Sequence, residues 1–236
     1  IPAINGKVCL GKENEVLNSF ITTGKLPATQ TDMVSRKTYD APALAYTKDF
    51  GKVTEGRSYM TVGYDEVYDI EYMYHRYKGY WARDGKTTIF DAFDKLHRGY
   101  SSIMERCRAL DKMIYDDALA SGNERYAEIL SASYRQVMAA HKLFEDKDGN
   151  LLYFSKENAS NGCVNTVDLT YPSAPIYLIY NVELEKAMMT SIFDYSRSGR
   201  WTKPFAAHDL GTYPIANGQV YAADMPLEEA GNMITL

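Results

Sequence analysis

The sequence lacks the features that mark several common classes of protein. Its three cysteines, Cys9, Cys107 and Cys163, are too few and too widely spaced for a disulfide scaffold or a Cys-x-x-Cys site. No apolar run approaches the roughly 20 residues that a membrane span needs. The 26 Lys+Arg and 31 Asp+Glu give a net charge of −5, which argues against nucleic acid or an anionic membrane as the main partner.

Signatures of nucleotide, zinc and nucleophile chemistry are also missing. The sequence contains no GxGxxG, Walker A, HExxH or GxSxG pattern, so it indicates no cofactor and no metal. Hydrophobic residues make up 45% and charged residues 24%, which is typical of an ordinary globular protein. Tyrosine is abundant, with 20 residues against 8 Phe. Tyrosine suits polar organic ligands such as sugars or amino acids, although it also fills half-buried structural positions.

The first 80 residues are predicted to be β-rich. Residues 57–64 and 67–72 alternate between apolar and polar side chains, as a half-buried strand does. Prolines and glycines punctuate this part of the chain at strand-like intervals. Because the strands are too few for a complete β-sandwich, residues 1–80 are interpreted as the end of a β-sandwich-like domain.

Residues 81–236 are predicted to form a helical domain. A stripe of apolar residues spaced by three and four predicts a helix of about thirty residues from Ile89, and a second helix follows near 124–141. Two long helices with a short connection form an αα-hairpin. A third helix is expected from Asn181 to Gly199.

The connections between these helices carry further predictions. A turn at 145–150 leads into an apolar run at 151–154, which predicts a small β-hairpin. The stretches 155–175 and 200–224 are predicted to be long loops, which in compact domains are usually functional.

The last residues predict a helix that begins with Asp224 as its N-cap and Pro226 in its first turn. This helix runs through apolar residues to Leu236. We therefore expect the chain to be part of a larger helical domain that is truncated at this point.

Three segments concentrate polar side chains, at 165–172, 204–211 and 224–232. Each adjoins a predicted helix, as loops at one mouth of a helical barrel do. Two carboxylates that flank a substrate share the work of proton donor and water activator when their pKa values differ. Helix capping and loop holding are the structural alternative for each carboxylate taken singly. The candidate catalytic residues are Asp209, Glu229 and Glu228, and the candidate substrate-binding residues are Asp168, His208, Tyr171, Asn165 and Asn232.

The same segments resemble the glutaminase A family. The likeness is carried by NTVD at 165–168 with YP at 171–172, HDLG at 208–211, and MPLEEAGN at 225–232. YDEVYDIEY at 64–72 resembles the join between that family's β-sandwich and its helices. The likeness runs from about residue 57 to the end of the chain.

This resemblance implies a mainly α fold, in which the end of a β-sandwich precedes part of an α/α toroid like that of six-hairpin glycosidases. It implies a secreted or periplasmic multidomain hydrolase that converts L-glutamine to L-glutamate and ammonia. Its partners would be a small-molecule substrate, glutamine or a carbohydrate, and the remainder of the parent polypeptide.

Our hypothesis for such a hydrolase is that one of Asp209 and Glu229 activates water and the other donates a proton to the departing amine. Asp168 and His208 would orient the substrate, and Tyr171 and Asn232 would contact it. Two other functions stay open at this point. One is a glycoside hydrolase that uses the same carboxylates, and the other is a carbohydrate- or peptide-binding module without chemistry.

Overall fold

The computed structural model describes residues 6–30, 41–157 and 159–236. The chain divides into two compact units, Ile1–Met60 and Thr61–Leu236. The predicted boundary near residue 80 differs from this division. It stays a prediction about domain organisation.

The first unit combines two strands with a helix. Strand β1 (Lys7–Lys12) runs antiparallel to β2 (Pro42–Thr47), with Lys7 opposite Thr47 and Lys12 opposite Pro42. Helix α1 (Glu13–Thr23) follows β1 directly and ends at Gly24, whose φ of 68° lies in the left-handed region that glycine favours. The β-rich prediction for this region therefore omitted a helix.

The alternating residues at 57–64 form no strand, so that prediction is wrong. Their side chains lie largely in solvent: Val62 is 66% exposed and Tyr64 is 84% exposed. An alternating pattern yields a stable strand only where a partner strand and a covering face exist, and no strand among the described residues is paired with this stretch.

A small three-stranded sheet does form in the second unit. Strand β3 (Ile70–Tyr72) lies between β4 (His75–Tyr77), which is antiparallel to it, and β7 (Ile215–Ala216), which is parallel. A short 3-10 turn at Tyr80–Ala82 precedes the helices. The sheet joins the start of the unit to a segment near its end.

The predicted αα-hairpin is confirmed. Helix α2 spans Ile89–Ser121 and α3 spans Glu124–Ala139. Thr88 begins α2 with a reciprocal capping box to Asp91. The side chain of Asn123 accepts a hydrogen bond from the backbone N–H of Tyr126 and so caps α3.

The predicted β-hairpin is also confirmed, as β5 (His141–Glu145) and β6 (Leu151–Ser155). Asp146 holds its turn, because its Oδ1 accepts the backbone N–H groups of Asp148 and Asn150. The helix predicted from Asn181 is confirmed as α5, which spans Val182–Arg197. Strand β6 packs against α5.

The main core of the second unit lies between this hairpin, α5 and the small sheet. Its members are buried apolar side chains from distant parts of the chain, among them Ile70, Phe144, Leu152, Phe154, Val164, Val167, Ile192 and Leu210. Several of these residues neighbour the polar segments at 165–172 and 204–211, so the core fixes the backbone from which those side chains project.

Helix α4 (Val167–Tyr180) lies where a loop was predicted, and the loop at 155–175 is correspondingly shorter. Pro172 lies inside this helix, at a position where proline is disfavoured. The polarity of the helix is also partly inverted, since Thr170 and Ser173 are buried while Ile179 is 70% exposed. An inverted polarity hides the helical period in the sequence.

The last helix, α6, spans Pro226–Thr235. Its N-cap residue is Met225, so the expectation that Asp224 caps it is wrong. The Asp224 carboxylate instead pairs with Lys203. Helix α4 packs against both α5 and α6.

The architecture is mainly α with small sheets, which confirms the predicted fold class. Closure of these helices into a toroid, and a β-sandwich before them, stay predictions. In the described part of the chain, no helix has both the length and the apolar composition needed to cross a membrane.

A buried carboxyl group in α5 makes a prediction about stability. Glu185 is 2% exposed, and its carboxylate oxygens accept no hydrogen bond from the described residues. Burial raises the pKa of Glu185 from 4.5 to about 7. Because the folded state holds this proton more tightly than the unfolded state, stability falls as the pH rises from about 4.5 to about 7.

Because of Glu185, the wild-type free energy of unfolding should fall by about 1–3 kcal/mol between acid and neutral pH. We expect this fall to be absent in Glu185→Gln. Urea denaturation at a series of pH values measures this. Glu183→Gln, an exposed position in the same turn, is the control and should keep the wild-type slope. Equal slopes in all three proteins would contradict the prediction.

Candidate active site

Backbone pairing brings two of the polar segments side by side. The N–H of Val164 donates to the carbonyl of Gly211 at 2.8 Å, and the N–H of Leu210 donates back to Val164 at 3.0 Å. Gly211 has a φ of 138°, and a Cβ at this position would lie 2.1 Å from the carbonyl oxygen of Ile215. Only glycine fits there. The N–H of Val167 donates to the carbonyl of His208 at 2.9 Å, which places the start of α4 beside His208.

Asp209 organises the second of these segments. Its Oδ1 accepts the backbone N–H groups of Gly211 at 2.8 Å and Val220 at 3.0 Å, and its Oδ2 accepts that of Tyr221 at 3.1 Å. The Nδ1 of His208 lies 3.0 Å from the same Oδ2. Asp209 is fully buried, and these four contacts occupy both of its oxygens.

His208 is held in one orientation by its surroundings. The ring stacks on Tyr221, with centroids 4.1 Å apart. Because a carboxylate accepts hydrogen bonds, Nδ1 of His208 donates to Oδ2 of Asp209. Nε2 faces Asp168, whose Oδ1 lies 4.0 Å away.

Asp168 connects this pair to solvent. It stands in the first turn of α4, and its side chain is 30% exposed. Asp168 and His208 both line a pocket of about 550 Å³. This volume is in the usual range for small-molecule sites.

Glu229 approaches from the third polar segment, because α6 packs against α4. Its side chain is fully buried. Burial raises the pKa of Glu229 from 4.5 to about 8, and the charge of Asp168 adds to this effect. The amide of Asn232, one turn further along α6, offsets part of the rise.

Asp168, His208 and Glu229 therefore meet at one place. One carboxylate oxygen or ring nitrogen from each lies within 4.8 Å of the other two. A proton donor, an acceptor and a polar wall at a pocket are the components of hydrolytic acid–base chemistry.

The structure brings some of the sequence-predicted residues together and separates others. Asp168, His208 and Glu229 form the cluster, Asp209 lies behind His208, and Asn232 lies beside Glu229. The remaining three lie elsewhere. Glu228 is exposed, Tyr171 is 43% exposed outside the pocket lining, and Asn165 is buried with its Nδ2 donating to Met188 and Ser191 of α5.

Sequence reasoning missed several residues of the pocket. They are polar or aromatic residues from the segment after β6 and from the loop before α6, namely Lys156, Glu157, Ser160, Asn161 and Tyr221. Both stretches fall within the long loops predicted at 155–175 and 200–224, and loop length was the sequence feature that could have indicated these residues. No motif distinguishes these residues from their loop neighbours.

Cys163 does not have the character of a nucleophile. It is 1% exposed, and burial together with the charge of Asp209 raises the pKa of its thiol to about 12. A nucleophilic cysteine needs a lowered pKa and access to substrate. The three cysteines are all free thiols.

The contacts of Asp209 predict a structural cost when its charge is removed. Asp209→Asn replaces one acceptor oxygen by an amide group that donates, so a backbone N–H now faces another donor. We expect a loss of about 1–3 kcal/mol in the free energy of unfolding, measured by urea denaturation. Asp116→Asn, on the exposed side of α2, should change it by less than about 0.5 kcal/mol. A variant at 209 as stable as wild type would contradict this role.

Comparison with known proteins agrees with the resemblance seen in the sequence. The chain is 30% identical over 239 residues to a protein named glutaminase A from Aspergillus oryzae, covering 96% of this chain and 34% of that protein. It is 34% identical over 123 residues to a probable glutaminase from Arthroderma benhamiae, covering 51% of this chain and 14% of that protein. No solved structure matches.

The chain thus spans about a third of the length of the longer-matching relative. A family model for a domain of unknown function, DUF5127, matches residues 5–117. A second, for the glutaminase A six helical-hairpin domain, matches residues 123–236 and so contains the whole cluster. The chain therefore belongs to the glutaminase A family, with residues 5–117 matching the DUF5127 domain and residues 123–236 matching the six helical-hairpin domain.

Proposed function

We propose that this chain supplies the active site of a hydrolase that releases ammonia from the side-chain amide of L-glutamine. The observation that carries the proposal is the meeting of Asp168, His208 and Glu229 within 4.8 Å beside a pocket. The relatives' names, glutaminase A and probable glutaminase, supply the reaction.

The positions of the three residues suggest how the work is divided. Asp168 and His208 face the pocket, so they contact the substrate amide and the attacking water. Glu229 is buried behind these two residues and is the third polar side chain on this side of the pocket. Asp209 is a positioning residue, because it reaches the substrate only through the orientation that it gives to His208.

The charges around the pocket favour an amino acid over a neutral sugar. Lys156 and Glu157 both line it, so a cation and an anion are available to a molecule that carries an ammonium and a carboxylate group. The Nζ atom of Lys156 also lies 3.8 Å from the centroid of the Tyr213 ring, which steadies its position. A zwitterionic ligand is matched at both of its charges.

A glycoside hydrolase is the alternative that uses the same carboxylates. Inverting glycosidases hold their two carboxyl groups about 6.5–9.5 Å apart, and retaining ones about 5–5.5 Å apart. One oxygen of Asp168 lies within 4.8 Å of one oxygen of Glu229, which is nearer to the retaining spacing than to the inverting one. A glycosidase built on this pair would therefore be a retaining one.

The proposal predicts that ammonia release depends on the cluster. In the full-length protein, we expect Glu229→Gln and Asp168→Asn each to lower kcat for L-glutamine by about 10²–10⁴-fold, the usual contribution of an acid–base group or of a fixed polar group at the reacting atoms. Coupled detection of ammonia measures this. Glu183→Gln, at an exposed position on α5, should keep the wild-type rate.

Two results would contradict the proposal in different ways. Ammonia release that survives both substitutions would place the site elsewhere in the protein. A wild-type protein that releases no ammonia but hydrolyses a glycoside with retained configuration would replace the glutaminase proposal with the glycosidase one.

A further inference from the structure

The cluster contains buried oxygens with few donors around them. By distance and angle, neither carboxylate oxygen of Glu229, nor the buried Oδ1 of Asp168, accepts a hydrogen bond from the residues that the structure describes, and the amide of Asn232 is a neighbouring donor for Glu229. The Nε2 atom of His208 lies 4.0 Å from that Oδ1. Buried polar atoms are normally paired, so several acceptors turned toward one point indicate a missing positive partner.

The arrangement behind His208 is the one that supports a metal ligand. A histidine that binds a metal usually donates its other ring N–H to a carboxylate, which fixes the tautomer and the ring orientation. Asp209 provides this contact at 3.0 Å, and three backbone N–H groups hold Asp209 itself. Stacking on Tyr221 further limits rotation of the ring.

We propose that His208 Nε2, Asp168 Oδ1 and the Glu229 carboxylate bind one divalent transition-metal ion of the Zn²⁺ or Mn²⁺ class. One imidazole and two carboxylates suit these ions, whereas Ca²⁺ and Mg²⁺ prefer sites made of oxygen ligands alone. The sequence did not indicate this site, because its ligands come from three separate segments and share no short spacing motif.

A second grouping of possible ligands, Cys163 with His208 and Asp209, is less suitable. Both oxygens of Asp209 already accept backbone N–H groups. A metal bound there would have to break contacts that hold the loop. The cluster with Asp168 and Glu229 needs no such rearrangement of bonded groups.

The ion would also supply what amide hydrolysis needs at this pocket. A bound divalent ion polarises a carbonyl oxygen and lowers the pKa of a bound water. Asp168 and His208 line the pocket, so the ion would lie within reach of a substrate there. Binding of the ion does not depend on the proposed glutaminase activity, whereas this use of it does.

Calorimetric titration of the full-length protein tests the site, after treatment with chelator and desalting, with ZnCl₂ or MnCl₂ as the only ligand. We expect one ion per chain for at least one of the two metals. Glu229→Gln and His208→Asn should weaken binding at least about 100-fold, and Asp209→Asn about 10–100-fold with unchanged stoichiometry. Glu183→Gln is the matched control and should bind as wild type does.

Two further measurements keep the test decisive. Circular dichroism of each metal-free variant shows whether it is folded. If Glu229→Gln is unfolded, Glu229→Asp takes its place and should bind the ion with an affinity different from that of wild type. In the Mn²⁺-loaded protein, pulsed electron paramagnetic resonance should show coupling to an imidazole nitrogen that disappears in His208→Asn.

Three results would overturn the proposal: no saturable binding of either ion by the wild-type protein, equal affinity in wild type and folded Glu229→Gln, or a manganese signal without nitrogen coupling. Because no substrate is present in these titrations, a protein that binds the ion but releases no ammonia would overturn the proposed activity and leave the metal site standing.

Discussion

The buried carboxylate of Asp209 is the interaction on which the candidate site depends. A fully buried charge is tolerated only when hydrogen bonds compensate its lost hydration. Here three backbone N–H groups and the ring of His208 provide that compensation. The same contacts join residues 208–211 to residues 220–221 and set the orientation of the imidazole. The Asp209 side chain therefore stabilises this loop and also fixes the orientation of the His208 ring.

The rest of the site follows from how neighbouring elements are fixed to this loop. Paired backbone groups of Val164 and Leu210 hold the start of α4 beside it, and packing of α6 on α4 adds Glu229. The apolar core beneath these segments makes their positions stable, because Val164, Val167 and Leu210 are among its buried members. The same burial places oxygens of Asp168 and Glu229 beside the pocket with few hydrogen-bond donors around them. A bound cation would offset the free-energy cost of burying these oxygens.

Amphipathic periodicity predicted the long elements well. It identified α2 and α3, the start and stop signals at Asn181 and Gly199 identified α5, and the turn residues around Asp146 identified the β5–β6 hairpin. It failed at α4, where Thr170 and Ser173 face the interior, and at 57–64, where the alternating pattern has no partner strand within the described ranges. In both cases tertiary packing decides the outcome, and packing is not visible in a local pattern.

The candidate site was predictable as a set of segments, but its internal arrangement was not. Motif-like polar runs indicated Asp168, His208, Asp209 and Glu229, which the structure brings together. They could not separate Glu229 from its exposed neighbour Glu228, because which of two adjacent helical residues faces inward depends on the packing of α6. Nor could they show that the oxygens of Asp209 are already engaged, since Val220 and Tyr221 carry no signal for such contacts.

The most direct measurement is a crystal structure of the full-length Glu229→Gln variant with L-glutamine bound. We expect the side-chain amide of the ligand to lie against Asp168 and His208, with its charged groups toward Lys156 and Glu157. Glutamine bound at a different surface, with this pocket free of it, would contradict the proposed function.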